Sequence, residues 1–182
     1  MTLNLYLAHS FDFRFKAREW ELEFEKRTKI NLINPFYDTQ RTDVEKIDAG
    51  RAERYKELIP KELVERDLSI IKKSDGLVGL ITGDLSYGTI MEIVYSKVLE
   101  DINKKKNKEF THPNYLIITN KHENHPWLKY HATEIFTSLD DFENWISTDC
   151  KYCDNKMTKV FSSKEWDMYE CFKCGKSWME IK

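Results

Sequence analysis

The fold class is decided by the stretch DGLVGLITGDLSYGTIMEIVYSKVLE, residues 75–100. After Asp75 it has no polar residue as far as Ile81, which is typical of a strand covered on both faces. A turn of small residues follows, and the remaining apolar residues have the three- and four-residue spacing of a helix. A buried strand, a short turn and a helix in succession predict an α/β domain with a parallel sheet.

The rest of the chain repeats this alternation. Strands are predicted at residues 3–8, 30–34 and 114–119, with a last short strand near 134–138. Helices are predicted at residues 11–29, 56–74 and 138–146, the last with Ser138 and Asp141 in a capping pattern. Residues 36–55 have no clear apolar face, and we expect a long loop with helical pieces there. The pattern predicts an α/β domain with a mostly parallel sheet and helices on both faces.

Composition excludes several classes of protein. The 182 residues include 29 basic and 31 acidic side chains, so total charge does not argue for nucleic acid or an anionic membrane as partner. No apolar run has transmembrane length, and the first residues lack the features of a signal peptide. We therefore expect a cytoplasmic protein without a membrane partner.

The four cysteines form two CxxC pairs separated by seventeen residues: Cys150, Cys153, Cys171 and Cys174. In a reducing compartment this spacing favours four thiolate ligands around a structural Zn²⁺ ion. We predict a small zinc ribbon at residues 148–182, following an α/β domain at 1–147; a pair of redox motifs is the less favoured alternative. Residues 149–182 have seven lysines and six acidic residues. The ribbon's aromatic residues can stack on bases, but without a basic field nucleic-acid binding is not favoured over protein contacts.

Polar residues follow two of the predicted strands. Ser10 and Arg14 follow the first strand, and Ser86 and Thr89 lead into a helix whose first turn is expected to hold Glu92. Ligands of parallel sheets bind at these strand ends, and a helix N-terminus with hydroxyl groups suits an anion. The alternatives are an ordinary N-cap and a surface carboxylate that stabilises the helix dipole.

Two blocks of the sequence resemble the nucleoside 2-deoxyribosyltransferase superfamily, which includes the 2′-deoxynucleoside 5′-monophosphate N-hydrolases. The first is RDLSIIKKSDGLVGLITGDLSYGTIMEI, residues 66–93, with Asp67, Gly88 and Glu92 at the positions of the family pattern. The second is LYLAHSFDFR, residues 5–14, with Tyr6, Ser10 and Arg14 in register. The resemblance implies a flavodoxin-like or Rossmann-like sheet and a homo-oligomer in which a neighbouring subunit completes each site.

The resemblance also implies a reaction. Glu92 would attack the anomeric carbon of a nucleoside or its 5′-monophosphate, Asp67 would assist departure of the base, and Tyr6 would orient the nucleophile. Transfer of the sugar to water or to a second base would complete the cycle. Substrate binding would fall to a set of five residues: Ser10, Arg14, Ser86, Gly88 and Thr89.

Two positions depart from many family members. Ser86 stands where many transferases have an Asp that holds the sugar hydroxyls. The monophosphate hydrolases have Ser at this position to bind the 5′-phosphate, so Ser86 favours a phosphorylated substrate. Ile90 replaces a small residue and is expected to alter the floor of the pocket. Two other functions remain open: a non-catalytic module that senses a nucleotide, with the ribbon for protein or nucleic-acid contacts, and a glycohydrolase of NAD-type cofactors.

Overall fold

The computed structural model describes residues 3–28, 30–37, 60–83, 85–106, 112–119, 122–150, 152–153, 156–162, 165–171 and 174–182. Among these residues, the N-terminal part contains five strands: β1 (Asn4–His9), β2 (Asn31–Ile33), β3 (Gly76–Ile81), β4 (Asn114–Ile118) and β5 (Glu134–Phe136). The helices described there are α1 (Arg14–Thr28), α2 (Pro60–Lys73), α3 (Tyr87–Lys105), α4 (Pro126–His131) and α5 (Leu139–Ile146), and a 3-10 turn (Phe11–Phe13) precedes α1. Most of the loop predicted at 36–55 lies outside the described residues.

The five strands form one parallel sheet in the order β2-β1-β3-β4-β5. The central pair is β1 and β3, in which Tyr6 lies opposite Leu77 and His9 opposite Leu80. From β1 the chain proceeds to β2 on one side, and from β3 it proceeds to β4 on the other. The strand order therefore reverses between β1 and β3, and a crevice is expected beyond their carboxyl ends.

Helices cover both faces of the sheet, as the sequence predicts. Odd-numbered residues of β1, such as Leu5 and Leu7, pack with residues of α1 and α5. The intervening residues Tyr6 and Ala8 pack on the opposite face with residues of α2, α3 and α4. This alternation follows from the two-residue repeat of a strand, which sends successive side chains to opposite faces. The α/β prediction is thus confirmed.

Close packing sets the position of α3 over the sheet. A Cβ atom added to Gly79 of β3 would lie 2.9 Å from Leu116 Cδ2 and 3.2 Å from Ile93 Cδ1. The absence of a Cβ atom at Gly79 therefore leaves room for the side-chain ends of Leu116 and of Ile93 on α3. The helix begins directly after Ser86, which has an extended backbone and whose carbonyl accepts the N–H of Ile90 at 3.0 Å.

Residues from 147 onward form a second sheet. Its antiparallel strands are β6 (Ser147–Asp149), β7 (Lys156–Ser162), β8 (Trp166–Glu170) and β9 (Ser177–Ile181), in that order. Strand β6 continues directly from α5, and the buried Thr158 hydroxyl donates to the Thr28 carbonyl at the end of α1. These contacts attach the second sheet to the α1 and α5 side of the first.

A buried ion pair reinforces this attachment. Lys159 Nζ lies 3.0 Å from Asp167 Oδ2 and 3.7 Å from the centre of the Trp145 ring of α5. Burial raises the pKa of Asp167, but hydrogen bonds from Ser162, Lys182 and Lys159 lower it below its ordinary value of 3.8. Asp167 therefore remains ionised where its two ammonium partners need a counter-charge.

Helix α4 was not predicted from the sequence. Its six residues begin with Pro126 at the first helical position, and Trp127 and Tyr130 are largely exposed. So short a helix has too few residues to show an apolar repeat. Among the described residues, no helix combines the length and apolar character that crossing a bilayer requires.

Candidate functional site

The structure joins two of the predicted catalytic residues by a hydrogen bond. Tyr6 is fully buried in the middle of β1, and its hydroxyl donates to Glu92 Oε1 at 2.7 Å. Glu92 is partly exposed on α3. A phenol bound to one carboxylate oxygen restrains the orientation of the Glu92 side chain.

The position of Glu92 within its helix differs from the prediction. From the sequence it was expected in the first turn, but α3 begins at Tyr87, so that Glu92 lies in the second turn and the first turn has no acidic residue. The interaction of a carboxylate with the helix dipole is largely confined to the first turn. The explanation of Glu92 as a simple dipole-stabilising charge is thereby weakened.

Asp67 lies on α2, which covers the same face of the sheet as α3. Its neighbour Leu68 packs against the cluster that contains Tyr6, and Asp67 itself is one turn before the buried Ile71. The Asp67 side chain is 14% exposed, and its Oδ1 lies 3.2 Å from Arg66 Nε. The second predicted carboxylate is therefore largely sheltered from solvent, with a cation as its immediate neighbour.

A surface hollow lies at the carboxyl ends of β1 and β3, where the strand order reverses. It brings together three of the predicted binding residues, Ser10, Ser86 and Thr89. Most of the other lining residues were not singled out from the sequence; they are Leu80, Ile81, Thr82, Leu85 and Ile90. Ile90, which departs from the family pattern, therefore lies in the wall of this hollow. Thr82 could have been found from its position directly after the buried strand.

The hollow is suited to an anion. Ser86 is the N-cap of α3, and no capping hydrogen bond from its side chain is present among the described residues. Thr89 is only 4% exposed, and within the same part of the chain its Oγ1 has no hydrogen-bond partner. A buried hydroxyl without a partner costs about 1–3 kcal/mol, which an acceptor oxygen of a ligand would recover. The N-terminus of α3 adds backbone N–H groups and the positive end of the helix dipole.

The other two predicted binding residues lie near this hollow in the chain but have different surroundings. Gly88 is exposed in the first turn of α3, and an added Cβ would meet only Ser86 Oγ, at 3.8 Å. Arg14 begins α1, where its Nη1 donates to the Phe11 carbonyl at 2.9 Å and its guanidinium lies 3.7 Å from the Phe11 ring centre. Arg14 thus braces the turn after β1 that carries Ser10.

The four cysteines converge at one end of the second sheet. All four Sγ atoms lie within 4.8 Å of one another, with Cys150 and Cys174 3.7 Å apart and Cys153 and Cys171 3.6 Å apart. Burial raises the pKa of Cys153 to about 12, and hydrogen bonds with the other thiols add to the increase. Four thiolates this close need a cation to offset their charge, so the cluster can hold a metal ion.

The turn that presents the last cysteine needs a glycine. Gly175 has a φ of +68° and donates its N–H to the Cys171 carbonyl at 2.8 Å. The Lys176 carbonyl accepts the N–H of Cys171 at 2.9 Å. This left-handed residue turns the chain back directly after Cys174, so that both cysteines of the pair face the same point.

No family model and no curated protein matches the chain.

Proposed function

We propose that the protein cleaves the N-glycosidic bond of a nucleoside or its 5′-monophosphate, as the resemblance to the nucleoside 2-deoxyribosyltransferase superfamily implies. The observation that carries the proposal is the 2.7 Å hydrogen bond from Tyr6 to Glu92, formed on a helix whose N-terminus lines a hollow rich in hydroxyl groups. The strand order 2-1-3-4-5 is that of flavodoxin-like sheets, which bind ligands at this reversal of strand order.

In the proposed reaction a Glu92 oxygen forms a bond to C1′ of the sugar as the bond from C1′ to the base nitrogen breaks. The electron pair of the broken bond leaves with the base, and Asp67 supplies a proton or a hydrogen bond to it. Water or a second base then attacks C1′ and releases the Glu92 carboxylate. The transition state resembles an oxocarbenium ion, which a carboxylate beside C1′ stabilises.

Tyr6 orients the nucleophile in this scheme. Its hydroxyl donates to one oxygen of Glu92, so that the carboxylate cannot rotate freely beside the sugar. The strand that bears Tyr6 is fixed on both sides by hydrogen-bonded neighbours, β2 and β3. A nucleophile held by a rigid element reacts faster because less orientational freedom is lost in the transition state.

The hollow is suited to the 5′-phosphate of a nucleotide. Ser86 and Glu92 are six residues apart on the helix, or about 9 Å along its axis, a span that a sugar with a 5′-phosphate can bridge. Ser10, Ser86 and Thr89 would donate hydroxyl hydrogen bonds to the phosphate, and Thr89 would gain the partner that its buried hydroxyl lacks among the described residues. We therefore favour a nucleoside 5′-monophosphate over a nucleoside.

A chromatographic screen for free base from nucleosides and 5′-monophosphates tests the reaction. Glu92→Gln keeps the size of the side chain and removes the nucleophile, so base release should fall at least about a thousandfold. Unchanged turnover in this variant would refute the mechanism. Tight nucleotide binding by the wild type without base release on long incubation would indicate a binding module instead.

The phosphate preference has a separate test. Ser86→Asp places a negative charge at the N-terminus of α3, where it stabilises the helix but repels a phosphate. Affinity for 5′-monophosphates should fall more than affinity for nucleosides. Equal losses for both ligands would remove Ser86 from a phosphate-binding role.

We also propose that the cysteine cluster holds a structural Zn²⁺ ion. Zn–S bonds of about 2.3 Å in a tetrahedron give S···S edges of about 3.8 Å, close to the separations of 3.7 Å for Cys150 and Cys174 and 3.6 Å for Cys153 and Cys171. Four protein thiolates leave no position for a substrate or water, so the ion would stabilise the second sheet and take no part in the reaction.

A further inference from the structure

A chain of buried polar side chains lies behind the turn that carries Ser10. It starts at His9, the last residue of β1, which is 4% exposed. His9 Nδ1 lies 2.9 Å from the Ser10 carbonyl oxygen, and His9 Nε2 lies 3.3 Å from Asn34 Oδ1. Asn34 Nδ2 in turn donates to Oε2 of the fully buried Glu21 at 2.6 Å.

The orientation of the Asn34 amide is determined by two neighbours. The backbone N–H of Phe36 donates to Asn34 Oδ1 at 3.0 Å, which requires an oxygen at that position. The Glu21 carboxylate can only accept, which requires the NH₂ group on the other side. The atom that faces His9 is therefore the amide oxygen.

Both ring nitrogens of His9 consequently face oxygens that carry no hydrogen. A carbonyl oxygen and an amide oxygen are acceptors only, so each contact is a hydrogen bond only if the nitrogen bears a proton. A neutral imidazole has one such proton and would set a lone pair against the other oxygen. The imidazolium form satisfies both contacts.

The surroundings suit a cation. The Glu21 carboxylate ends the chain, and its other oxygen pairs with Arg18 on the same helix. The Phe36 ring lies 4.9 Å from the His9 ring, centre to centre, at an angle of 36°. Both a buried carboxylate two hydrogen bonds away and an adjacent aromatic face favour a charged imidazole ring.

We propose that His9 is a positioning residue of the candidate site: a buried imidazolium that fixes the Ser10 carbonyl and thereby the turn that presents the Ser10 hydroxyl to the hollow. Its role toward a ligand rests on the proposed function. The Ser10 carbonyl also accepts the N–H of Phe13 at 3.1 Å, so one oxygen joins the end of β1 to the turn before α1. If His9 Nδ1 lost its proton, the Ser10 carbonyl oxygen would lose a hydrogen bond that holds this turn in place.

The protonation of His9 can be measured without any ligand. Nitrogen-15 NMR of the histidine rings at pH 7, with the His9 signals assigned by their loss in His9→Gln, should show a proton on both nitrogens. A ring nitrogen without a proton would overturn the proposal. Glu21→Gln is close to isosteric and removes the carboxylate, so one His9 nitrogen should lose its proton in that variant.

The positioning role has its own test, with a matched control. His112 is also 4% exposed, but it precedes β4 and so lies at the amino ends of the strands, whereas His9 lies at a carboxyl end. His112 Nε2 is 2.9 Å from the Ile71 carbonyl oxygen. His9→Gln should speed hydrogen exchange of the Phe13 amide and weaken nucleoside 5′-monophosphate binding, each about tenfold, as loss of one charge-assisted hydrogen bond implies. His112→Gln should leave both unchanged.

The outcomes separate the two proposals. Equal Phe13 exchange in the two variants, or equal loss of nucleotide affinity, would overturn the role of His9. A wild-type protein that neither binds nor cleaves nucleotides would refute the proposed function, while ring protonation and Phe13 exchange would still decide whether His9 fixes the turn.

Discussion

Replacing Tyr6 with Phe removes a single oxygen from the centre of the candidate site. Tyr6 is fully buried, and its ring packs in the cluster beneath α2 and α3. Phe keeps that ring, so no cavity larger than the hydroxyl forms. The donor to Glu92 Oε1 is lost, but Glu92 is partly exposed and water can replace the donor. We therefore expect the free energy of unfolding to change by less than about 1 kcal/mol.

The expected effect on activity is larger. A hydrogen bond to a charged group contributes about 1.5–3 kcal/mol, and without it the carboxylate samples orientations that do not face the sugar. Because about 1.4 kcal/mol corresponds to a factor of ten in rate, kcat/KM for base release should fall about ten- to a hundredfold. The loss should appear mainly in kcat, since the hydroxyl acts on the nucleophile and not on the bound phosphate.

Tyr115→Phe provides the control. Tyr115 lies on β4, which β3 separates from β1, and its ring packs against Phe142 and Trp145 on the other face of the sheet. Chromatographic base release and thermal melting would be measured for both variants. Wild-type kcat in Tyr6→Phe would refute the orienting role. An equal loss in Tyr115→Phe would show that the effect comes from general disturbance of the sheet.

Three further predictions concern stability. Gly88→Ala should stabilise the start of α3 by up to about 1 kcal/mol, because an added Cβ has room beside Ser86 Oγ, 3.8 Å away. It should also weaken nucleotide binding if the ligand approaches the backbone at this position. A lower melting temperature would contradict the expected stabilisation. Asp167→Asn should cost about 3 kcal/mol by leaving Lys159 buried without its carboxylate, as measured by urea unfolding. Because the pKa of Asp167 is lowered, its contribution to stability is present above pH 3.8 and lost as pH falls further; a variant with wild-type acid sensitivity would contradict this. Removing metal with a chelator should unfold the second sheet and change the Trp fluorescence, while the far-UV circular dichroism of the α/β domain persists. Unchanged fluorescence after verified metal loss would exclude a structural ion.

Much of the architecture could be predicted from local patterns. The run of apolar residues at 76–81 coincides with β3, all of whose residues are buried. The capping pattern at Ser138 is confirmed, since its side chain accepts the N–H of Asp141 at 3.0 Å. The spacing of the cysteine pairs agrees with the cluster of four Sγ atoms. Each of these features is a pattern of residue types and spacings along the chain, so it can be recognised without knowledge of the tertiary contacts.

The candidate site was only partly predictable. Tyr6 and Glu92 are 86 residues apart and meet because β1 and β3 pair at the centre of the sheet. The sequence suggested both residues, and Tyr6 as the residue that orients Glu92, only through a resemblance. Glu92 was placed one turn too early in α3, since the small residues before it are compatible with either a turn or a helix. The contact between His9 and Asn34 was not predictable, because Asn34 follows a different strand.

By itself, the order of residues determined an alternation of buried strands and amphipathic helices, followed by a four-cysteine module. The periodicity of apolar residues and the spacing of the cysteines are local properties of the sequence. Apolar side chains must be buried in any arrangement of the strands and helices, so this periodicity is present whichever arrangement is adopted. The order of the strands decided the rest: it placed the ends of β1 and β3 side by side, and with them Ser10, Ser86 and the buried hydroxyl of Thr89. Hydrogen bonds act over about 3 Å, so only the folded chain determines which distant side chains share them.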